Sequence, residues 1–440
     1  MQPSGTHAAV LGAGIAGLLA ARVLSEAYQA VTIVDRDELP PPAVPRRGVP
    51  QGRHGHALMP GGAVLLEQLC PGLTGQLLRA GAVSAEPLAD YRFQVGGRQL
   101  RPVPIGARAV QATRPFLEAH LAQWVAALPN VAFAGGCDVT GLLDAGGRIA
   151  GVRILRRARG SAEETLAADL VVDATGRGSR APAWLAALGY ERPAEDRPRV
   201  DVSYASRLLR LPDGDAVIEK TVGIGPVPGR PRGMILVAVE NGLRMLTVVG
   251  FGPAHRPPND PGRLGAWTAC FAPPDVQAAI LAADPVGGVA TYRYLTYQRR
   301  RYERMPRLPG GLLAVGDALC SFSPVYAQGM TVAAQQAVVL RGCLAAGAVN
   351  LPARFFRAAA RTVDAPWRAA TAADLALPEV DGPRPVPVRL LNRYVSRVLA
   401  AAERDDAVSR TFMRVTALLD PPSALLAPGT LRRVVRPWHS

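Results

Sequence analysis

A glycine-rich turn near the start of the chain, in AAVLGAGIAGLLA, constrains the fold more than any other feature. The pattern predicts a buried strand over residues 8–14, a helix with a small-residue face over 15–25 and a second strand over 30–34. A strand, a glycine turn, a helix and another strand open a parallel sheet. The sequence therefore predicts an α/β (α+β) fold that begins with a Rossmann-like parallel sheet.

The three glycines of this turn have different roles in the predicted unit. Gly12 allows the tight turn, Gly14 lets the backbone approach a pyrophosphate, and Gly17 lets helix and strand pack closely. An ordinary small-residue helix start is the alternative reading. The strand before the turn and the helix after it favour a dinucleotide site.

Two further observations support that site. The N-terminus of the helix, at Ile15 and Ala16, supplies free N–H groups and a positive dipole end for a phosphate. Asp35 ends the second strand, where its carboxylate can accept hydrogen bonds from a ribose diol. The opening unit is therefore predicted to bind an adenine dinucleotide.

A second motif lies far downstream, in LLAVGDALCSFSPVYAQGMTVAAQQA. A strand is expected over Leu312–Val315, followed by a sharp turn at Gly316 and Asp317, and a helix of small residues from Gly329. FAD is long enough to be held at both ends, by the first motif and by this one. Asp317 would bind a ribityl hydroxyl, and the N–H groups of Gly329 and Met330 would face the pyrimidine edge of the flavin. A helix cap with a loop proline is the alternative.

The rest of the chain sets the domain organisation. The region after residue 200 is rich in strand-like stretches, with a short helical piece near Trp267–Leu281. The tail is predicted to be helical and broken at prolines, including Pro366. We predict a discontinuous FAD-binding domain over residues 1–83, 101–200 and 291–345. A β-rich substrate domain is predicted over residues 84–100 and 201–290, and a C-terminal helical region over residues 346–440.

Charge and cysteine usage exclude several function classes. The net charge is +15, but the cations are almost all arginine, are scattered along the chain, and include Lys220 as the one lysine. Nucleic-acid binding is therefore not expected. Five cysteines without a C-x-x-C pair disfavour a disulfide framework or zinc site, and neither a signal peptide nor a membrane-spanning run is recognised. We expect a cytoplasmic enzyme without metal, and the oligomeric state stays open.

Taken together, these motifs give the chain a resemblance to a known family. It resembles the FAD-dependent monooxygenases of the aromatic-hydroxylase (p-hydroxybenzoate hydroxylase-like) fold through the first motif, the helix opened by Arg114, DLVVDATGRGSRAPAWLAALG and GDA…P…QGM. Within this class it is most similar to bacterial flavin epoxidases of polyether polyketide biosynthesis, through GVPQGRHGHAL, GDALCSFSPVYAQGM and APWRAATAADLALP. The similarity extends over nearly the whole chain and is weakest in the substrate domain.

The resemblance implies further cofactor contacts. Arg53 and Arg114 would lie near the flavin's phosphates or ribityl chain; surface arginines are the alternative. His54 and His56 are spaced as a metal pair could be, but no acidic or cysteine partner lies close in sequence, so a flavin-contacting or structural role is preferred. The other residues that the resemblance places on FAD are Arg36, Val139, Ala174, Thr175, Gly176, Pro324 and Gln328.

The resemblance also implies the reaction. FAD would be bound tightly but not covalently and would be reduced by NAD(P)H that binds transiently. The reduced flavin would insert one oxygen atom of O2 through a flavin C4a-hydroperoxide. The closest resemblance implies epoxidation of an olefin in a lipophilic or carrier-bound polyketide or terpenoid-like substrate. No catalytic side chain is identified, and Pro324, Val325 and Tyr326 are the candidates for shaping the pocket. In the family the middle motif usually contains an Asp-Gly pair. Here Asp173 and Gly176 are separated, which leaves nicotinamide docking open.

Several alternatives remain. Aromatic hydroxylation by the same fold is the nearest competitor. A double-bond reductase and a non-redox cyclase of the same fold follow. A flavin halogenase is disfavoured because the chain has no W-x-W motif and its single lysine lies in the predicted substrate domain.

Overall fold

The structure is a computed structural model that describes residues 5–39, 43–46, 48–212, 214 and 217–436. It confirms the mixed α/β class. Part of the loop between the first βαβ unit and the helix Pro60–Leu69 lies outside the described residues.

A five-stranded parallel sheet forms the centre of the nucleotide-binding part. Its strands, in spatial order, are Leu312–Ala314, Leu170–Asp173, Gly5–Leu11, Tyr28–Val34 and Val131–Ala134. All four neighbouring pairs are parallel. The second half of the Gly5–Leu11 strand is wholly buried, as expected for a strand that has neighbours on both edges and is covered on its faces.

Helices cover this sheet. Ile15–Leu24 follows the first glycine turn, and the predicted helices at Arg114 and Gly329 occupy Arg114–Ala126 and Gly329–Ala345. The small-residue helix Gly329–Ala345 packs against Ile15–Leu24. The remaining helices of this part are Pro60–Leu69, Leu73–Arg79 and Ala181–Ala187.

Three small antiparallel sheets flank the nucleotide-binding part. A hairpin turn around residues 144–147 joins Cys137–Asp144 to Ile149–Arg156, and Glu163–Ala167 is the third strand of this sheet. The other two sheets are Ala57–Leu58, Ala109–Gln111 and Val83–Ala85, and Glu195–Asp196, Gln298–Arg300 and Cys320–Ser321.

A seven-stranded sheet forms the β-rich part. Its strands, in spatial order, are Asp284–Thr296, Arg199–Arg210, Arg244–Phe251, Arg232–Ala238, Thr221–Ile224, Tyr91–Val95 and Arg98–Gln99. The helical piece expected near Trp267 is two short helices, Pro261–Thr268 and Pro274–Ala282. The domain boundaries themselves stay a prediction. The strand Asp284–Thr296 of this sheet runs past residue 290, the predicted end of the substrate domain.

The C-terminal part consists of the helices Leu351–Asp374, Val386–Ala402, Asp406–Thr416 and Pro428–Val435. The predicted break at Pro366 is wrong, because Leu351–Asp374 continues through that residue. Pro366 removes one backbone donor, but the buried face around it, with Val363 and Trp367, packs against an aromatic core cluster. Tertiary packing therefore outweighs the lost hydrogen bond. Every described helix is too short or too polar to cross a lipid bilayer.

Candidate functional site

The carboxyl ends of three parallel strands meet at one edge of the sheet. Leu11 lies opposite Asp173, and Asp173 lies opposite Ala314. The chain turns away directly after each of these residues, at Gly12, at Ala174 and at Val315. Ligands of open α/β sheets bind outside this edge of the sheet. The first motif, the DATG segment and the distal motif therefore face one site.

The turns are so close that side chains would not fit between them. A Cβ on Gly17 would lie 1.9 Å from the carbonyl oxygen of Gly12, and a Cβ on Gly316 would lie 2.6 Å from the Cβ of Ala16. Gly12 and Gly316 also have positive φ angles of 102° and 60°, which strain residues with a side chain. The contact between Gly316 and Ala16 joins the distal motif directly to the first helix.

The helix Ile15–Leu24 begins at the site without a side-chain cap. Gly14 is its extended N-cap residue, and the first turn contains no acidic residue. A Cβ on Gly14 would have ordinary contacts, at 3.8 Å from Glu118 Oε1 and 3.9 Å from Arg114 Nη2, so there is space in front of this backbone. Free N–H groups, the dipole end and a nearby guanidinium suit a pyrophosphate.

Asp35 stabilises the glycine turn directly. Its Oδ2 accepts a hydrogen bond from the Ala13 N–H at 2.7 Å, and its Oδ1 accepts one from the Asp37 N–H at 2.9 Å. An ionised carboxylate has further lone pairs, so a ribose diol can still donate to it. Arg36 is exposed and Val139 is half-buried, and no side-chain hydrogen bond among the described residues links either of them to Asp35.

A buried ion-pair cluster behind the turn was not predicted. The Arg46 guanidinium is 5% exposed and pairs with Glu118 at 3.1 Å and with Asp37 at 3.2 Å. Glu118 also accepts from Arg114 Nε at 2.8 Å. Glu118 thus positions Arg114, the predicted phosphate-binding residue, from the same helix four residues on. The i, i+4 spacing of Arg114 and Glu118 was the sequence signal for this pair.

The DATG segment is organised by Asp173, which is fully buried. Asp173 Oδ1 accepts from the Thr175 backbone N–H at 2.9 Å and from its hydroxyl at 2.6 Å, and Oδ2 accepts from Ser179. Asp173 therefore caps its own turn, and its carboxylate is occupied by protein donors. A Cβ on Gly176 would meet no atom within 4 Å, so the surface above the turn is open.

Asp317 follows the distal turn and lies in a strongly positive environment. Burial raises the pKa of its carboxyl, and three arginines oppose that shift: Arg114, Arg177 and Arg300. Among the described residues, its carboxylate accepts one hydrogen bond, a long one from Ser321 Oγ to Asp317 Oδ2 at 3.5 Å. A half-buried carboxylate with so little protein hydrogen bonding can accept from a ligand hydroxyl. Arg114, from the middle helix, and Asp317 thus belong to the same site.

Unpartnered buried polar atoms surround the N-terminus of the Gly329–Ala345 helix and the segment after DATG. Gln328 Oε1 and Arg177 Nη1 are buried without a hydrogen-bond partner among the described residues, although Arg177 Nη2 donates to Thr296 Oγ1 at 2.8 Å. A Cβ on Gly329 would meet no atom within 4 Å, and Met330 is buried. These donors and acceptors, with the phosphate cradle at the other end, fit FAD.

The candidate pocket-shaping residues Pro324, Val325 and Tyr326 form one turn of 3-10 helix. Val325 and Tyr326 pack against an aromatic cluster. Tyr326 Oη donates to Asp374 Oδ1 at 2.6 Å, and Tyr297 Oη donates to Asp374 Oδ2 at 2.5 Å. The C-terminal helix Leu351–Asp374 therefore supports the distal motif, a role that sequence reasoning did not assign to it.

Asp374 should make the stability of the protein depend on pH. Burial raises its pKa from about 3.9 in an unfolded chain to about 6, despite the two tyrosine hydrogen bonds, so the folded state binds the proton more tightly. Stability from this group is therefore present below about pH 4 and is lost as the pH rises through 6. We expect Asp374→Asn, which cannot ionise, to gain about 2 kcal/mol relative to wild type between pH 4 and pH 8 in urea unfolding. A constant difference across that range would contradict the assignment.

The segment over residues 53–56, here called the histidine segment, lies between the nucleotide-binding part and the seven-stranded sheet. Arg53 is exposed, whereas His54 is buried and His56 is half-buried. His54 Nδ1 lies 2.8 Å from Ser206 Oγ of the seven-stranded sheet. Within the part of the chain that the structure describes, no three histidine, cysteine or acidic side chains are grouped as metal ligands would be.

Comparisons with known proteins agree with this architecture. No family model matches the chain. Protein Rv3254 of Mycobacterium tuberculosis is 36% identical over 452 residues, covering 98% of this chain and 94% of that protein. The structure of p-nitrophenol 4-monooxygenase PnpA from Pseudomonas putida DLL-E4 matches with a TM-score of 0.69 at 15% identity, covering 96% and 100% of the two chains. The flavin-dependent brominase Bmp2 matches with a TM-score of 0.66 at 14% identity, covering 94% of each.

The structural matches show a shared fold, and the sequence match shows membership of the same protein family. Each of these matches covers more than nine-tenths of this chain. The chain therefore has the fold of flavin-dependent monooxygenases and brominases and belongs to the same family as Protein Rv3254 of Mycobacterium tuberculosis.

Proposed function

We propose that the chain is an FAD-dependent monooxygenase that consumes NAD(P)H and transfers one oxygen atom of O2 to an organic substrate. The observation that carries this proposal is the meeting of the two distant motifs, with Gly316 directly against Ala16 and Arg114 acting electrostatically on Asp317. A ligand gripped by both motifs must be long and must carry phosphate at one end. When bound, FAD supplies the activated oxygen once it has been reduced.

The chain's own residues bind and shield such a cofactor. The Gly12–Gly17 turn and Arg114 would hold the pyrophosphate, Asp35 the ribose and Asp317 the ribityl chain. The free N–H groups at Gly329 and Met330 would stabilise negative charge at the ring end. The aromatic cluster behind Tyr326 excludes water from that end, which protects reactive intermediates and strengthens polar contacts.

The proposed substrate is a lipophilic olefin that undergoes epoxidation. Support comes from the apolar cluster that packs beside the distal motif and includes Tyr204, Tyr294 and Phe322. Predominantly apolar surroundings suit a polyketide or terpenoid-like skeleton better than a small ionised acid. This substrate class and its free or carrier-bound form are proposals, as is the cytoplasmic setting.

Other reactions of the same fold remain as alternatives. Aromatic hydroxylation needs the same cofactor and the same dry pocket. A double-bond reductase would use the reduced flavin without oxygen, and a cyclase would need neither reductant nor oxygen. Halogenation is less well supported, because the one lysine, Lys220, donates to the Ser84 carbonyl at 3.0 Å and to Asp90 at 3.4 Å.

Isotope labelling separates these outcomes. The purified protein, supplied with NADPH or NADH and a panel of lipophilic alkenes and phenols, is expected to consume reductant and to add 16 mass units to an alkene with ¹⁶O2 and about 18 with ¹⁸O2. Label in a phenol would favour the hydroxylase. Product formed without oxygen would instead favour the reductase, and product formed without either co-reactant the cyclase, so that either result would overturn the monooxygenase proposal.

A further inference from the structure

A buried chain of polar side chains connects the histidine segment to the seven-stranded sheet. His54 Nδ1 lies 2.8 Å from Ser206 Oγ, and Ser206 Oγ lies 2.8 Å from Thr247 Oγ1. Thr247 Oγ1 in turn accepts the Gly55 N–H at 3.0 Å. The histidine segment therefore contacts the sheet through the His54 side chain and through the Gly55 backbone. His54, Ser206, Thr247 and Gly55 form a closed network.

The network fixes the tautomer of His54. Thr247 Oγ1 accepts from Gly55, and for its own hydroxyl hydrogen the acceptor shown among the described residues is Ser206 Oγ. In the arrangement that gives every hydroxyl hydrogen of the network an acceptor, Ser206 donates to His54 Nδ1, so Nδ1 carries a lone pair and the ring proton is on Nε2. Burial lowers the pKa of His54 to about 4, with a further contribution from Arg53, so the ring is neutral at physiological pH. His54 is therefore a neutral donor with a defined direction.

The donor atom is unused by the protein. Within the described ranges, His54 Nε2 has no hydrogen-bond partner, although the residue is 8% exposed. The adjacent Gly55 cannot be replaced without moving the network, because a Cβ there would lie 2.8 Å from Thr247 Oγ1. His56 holds the same backbone from the other side, since its Nδ1 lies 2.9 Å from the His54 carbonyl oxygen. The segment is thus built to hold the His54 ring in one orientation.

The position of the ring connects it to the site. Its centroid lies 6.2 Å from that of Tyr204 and 6.0 Å from that of Tyr292. Tyr204 Oη is 3.4 Å from Ser323 Oγ of the distal motif. Tyr292 packs against the same buried cluster as Val325 and Tyr326 of the distal motif. His54 therefore lies between the sheet and the distal motif.

We propose that His54 is a ligand-binding residue that donates a hydrogen bond from Nε2 to an uncharged acceptor oxygen or nitrogen at the ring end of the site. This inference rests on the proposed function, because the acceptor belongs either to FAD, as a ring carbonyl or ring nitrogen, or to the substrate, as a carbonyl or ether oxygen. A donor fixed in advance by a buried network loses little entropy on binding. Loss of one such bond weakens binding by roughly five- to tenfold.

Two substitutions separate ligand binding from a structural role. In His54→Asn the amide lies where Nδ1 lies, so the bond to Ser206 is retained and Nε2 is lost. In His54→Gln the amide reaches the position of Nε2 and the bond to Ser206 is lost. A purely structural histidine predicts damage in the Gln variant, whereas a ligand-binding histidine predicts damage in the Asn variant. His255→Asn, which changes a histidine beside Arg232, is the control.

Two probes distinguish the sources of the acceptor. The FAD affinity of the apoprotein tests whether the acceptor belongs to the cofactor. The change of flavin absorbance on adding α-tetralone or tetralin tests whether it belongs to the substrate, because the two compounds share a skeleton and only α-tetralone has a carbonyl oxygen. We expect His54→Asn to weaken either FAD binding or the preference for tetralone by roughly five- to tenfold, with His54→Gln and His255→Asn close to wild type. Ser206→Ala, which frees the tautomer, should show a smaller loss in the same assay.

Unchanged values for His54→Asn in both assays, or a larger loss in His54→Gln than in His54→Asn, would overturn the inference while leaving the proposed function intact. Wild-type protein that binds no FAD would overturn the proposed function, and this inference with it.

Discussion

Asp317→Ala is expected to give a folded chain that has lost at least about nine-tenths of its FAD affinity. The side chain is half-buried, Arg114 and Arg177 act on it electrostatically, and among the described residues its carboxylate is bonded only through a long contact from Ser321. A hydrogen bond between a charged group and a ligand contributes roughly 1.5–3 kcal/mol, which corresponds to about a 10- to 100-fold change in affinity. The measurement is flavin absorbance per chain after gel filtration, with FAD titration of the apoprotein.

Asp284→Ala is the matched control for this prediction, because that carboxylate is exposed at the start of a strand of the seven-stranded sheet. It should retain wild-type flavin content. Equal flavin content in the two variants would show that Asp317 does not hold the cofactor. Circular dichroism of each variant checks that the fold is intact.

Gly17→Ala should have a still larger effect, on folding as well as on binding. The new Cβ would lie 1.9 Å from the Gly12 carbonyl oxygen and 3.3 Å from the Ala174 side chain. The helix would have to move away from the turn that forms the phosphate cradle. Such overpacking typically costs 1–3 kcal/mol or more, and here we expect about 3 kcal/mol in urea unfolding together with loss of bound FAD.

Gly342→Ala provides the opposite control. Gly342 lies within the helix Gly329–Ala345, and a Cβ there would meet no atom within 4 Å. Alanine should therefore stabilise the helix by up to about 1 kcal/mol without changing flavin content. A Gly17→Ala protein as stable as wild type and equally yellow would refute the proposed packing of turn and helix.

Local sequence patterns predicted the elements that meet at the site. The expected helix over residues 15–25 is observed over Ile15–Leu24, and the helix expected from Gly329 is observed over Gly329–Ala345. Both are specified by short-range signals, a glycine turn before the helix and small apolar residues along it. The predicted fold class followed from the same signals.

The contacts missed by sequence reasoning join residues far apart in the chain. Arg46 lies in a loop without periodicity, and its partner Glu118 is 72 residues away. Asp374 lies on a helix assigned to a separate tail, yet it binds Tyr326, 48 residues earlier. Periodicity describes one element at a time, so it cannot show which loops and helices meet in three dimensions. A lone acid on the buried face of the Leu351–Asp374 helix was the available signal.

The error at Pro366 has a related cause. Proline is read as a helix breaker because it removes a donor and crowds the preceding turn. Here Trp367 packs its ring edge against Tyr297 at a centroid distance of 5.4 Å, and Phe355, Val363 and Ala370 are buried on the same helix. The packing energy of such a face exceeds a local propensity, and sequence alone gives no measure of it.

The measurement that tests the account most directly is the flavin content of the purified wild-type chain. If the two motifs clasp one cofactor, the protein should be yellow, should release FAD on denaturation at close to one molecule per chain, and should recover it after removal and reconstitution. A folded, colourless protein that binds neither retained nor added FAD would contradict the account.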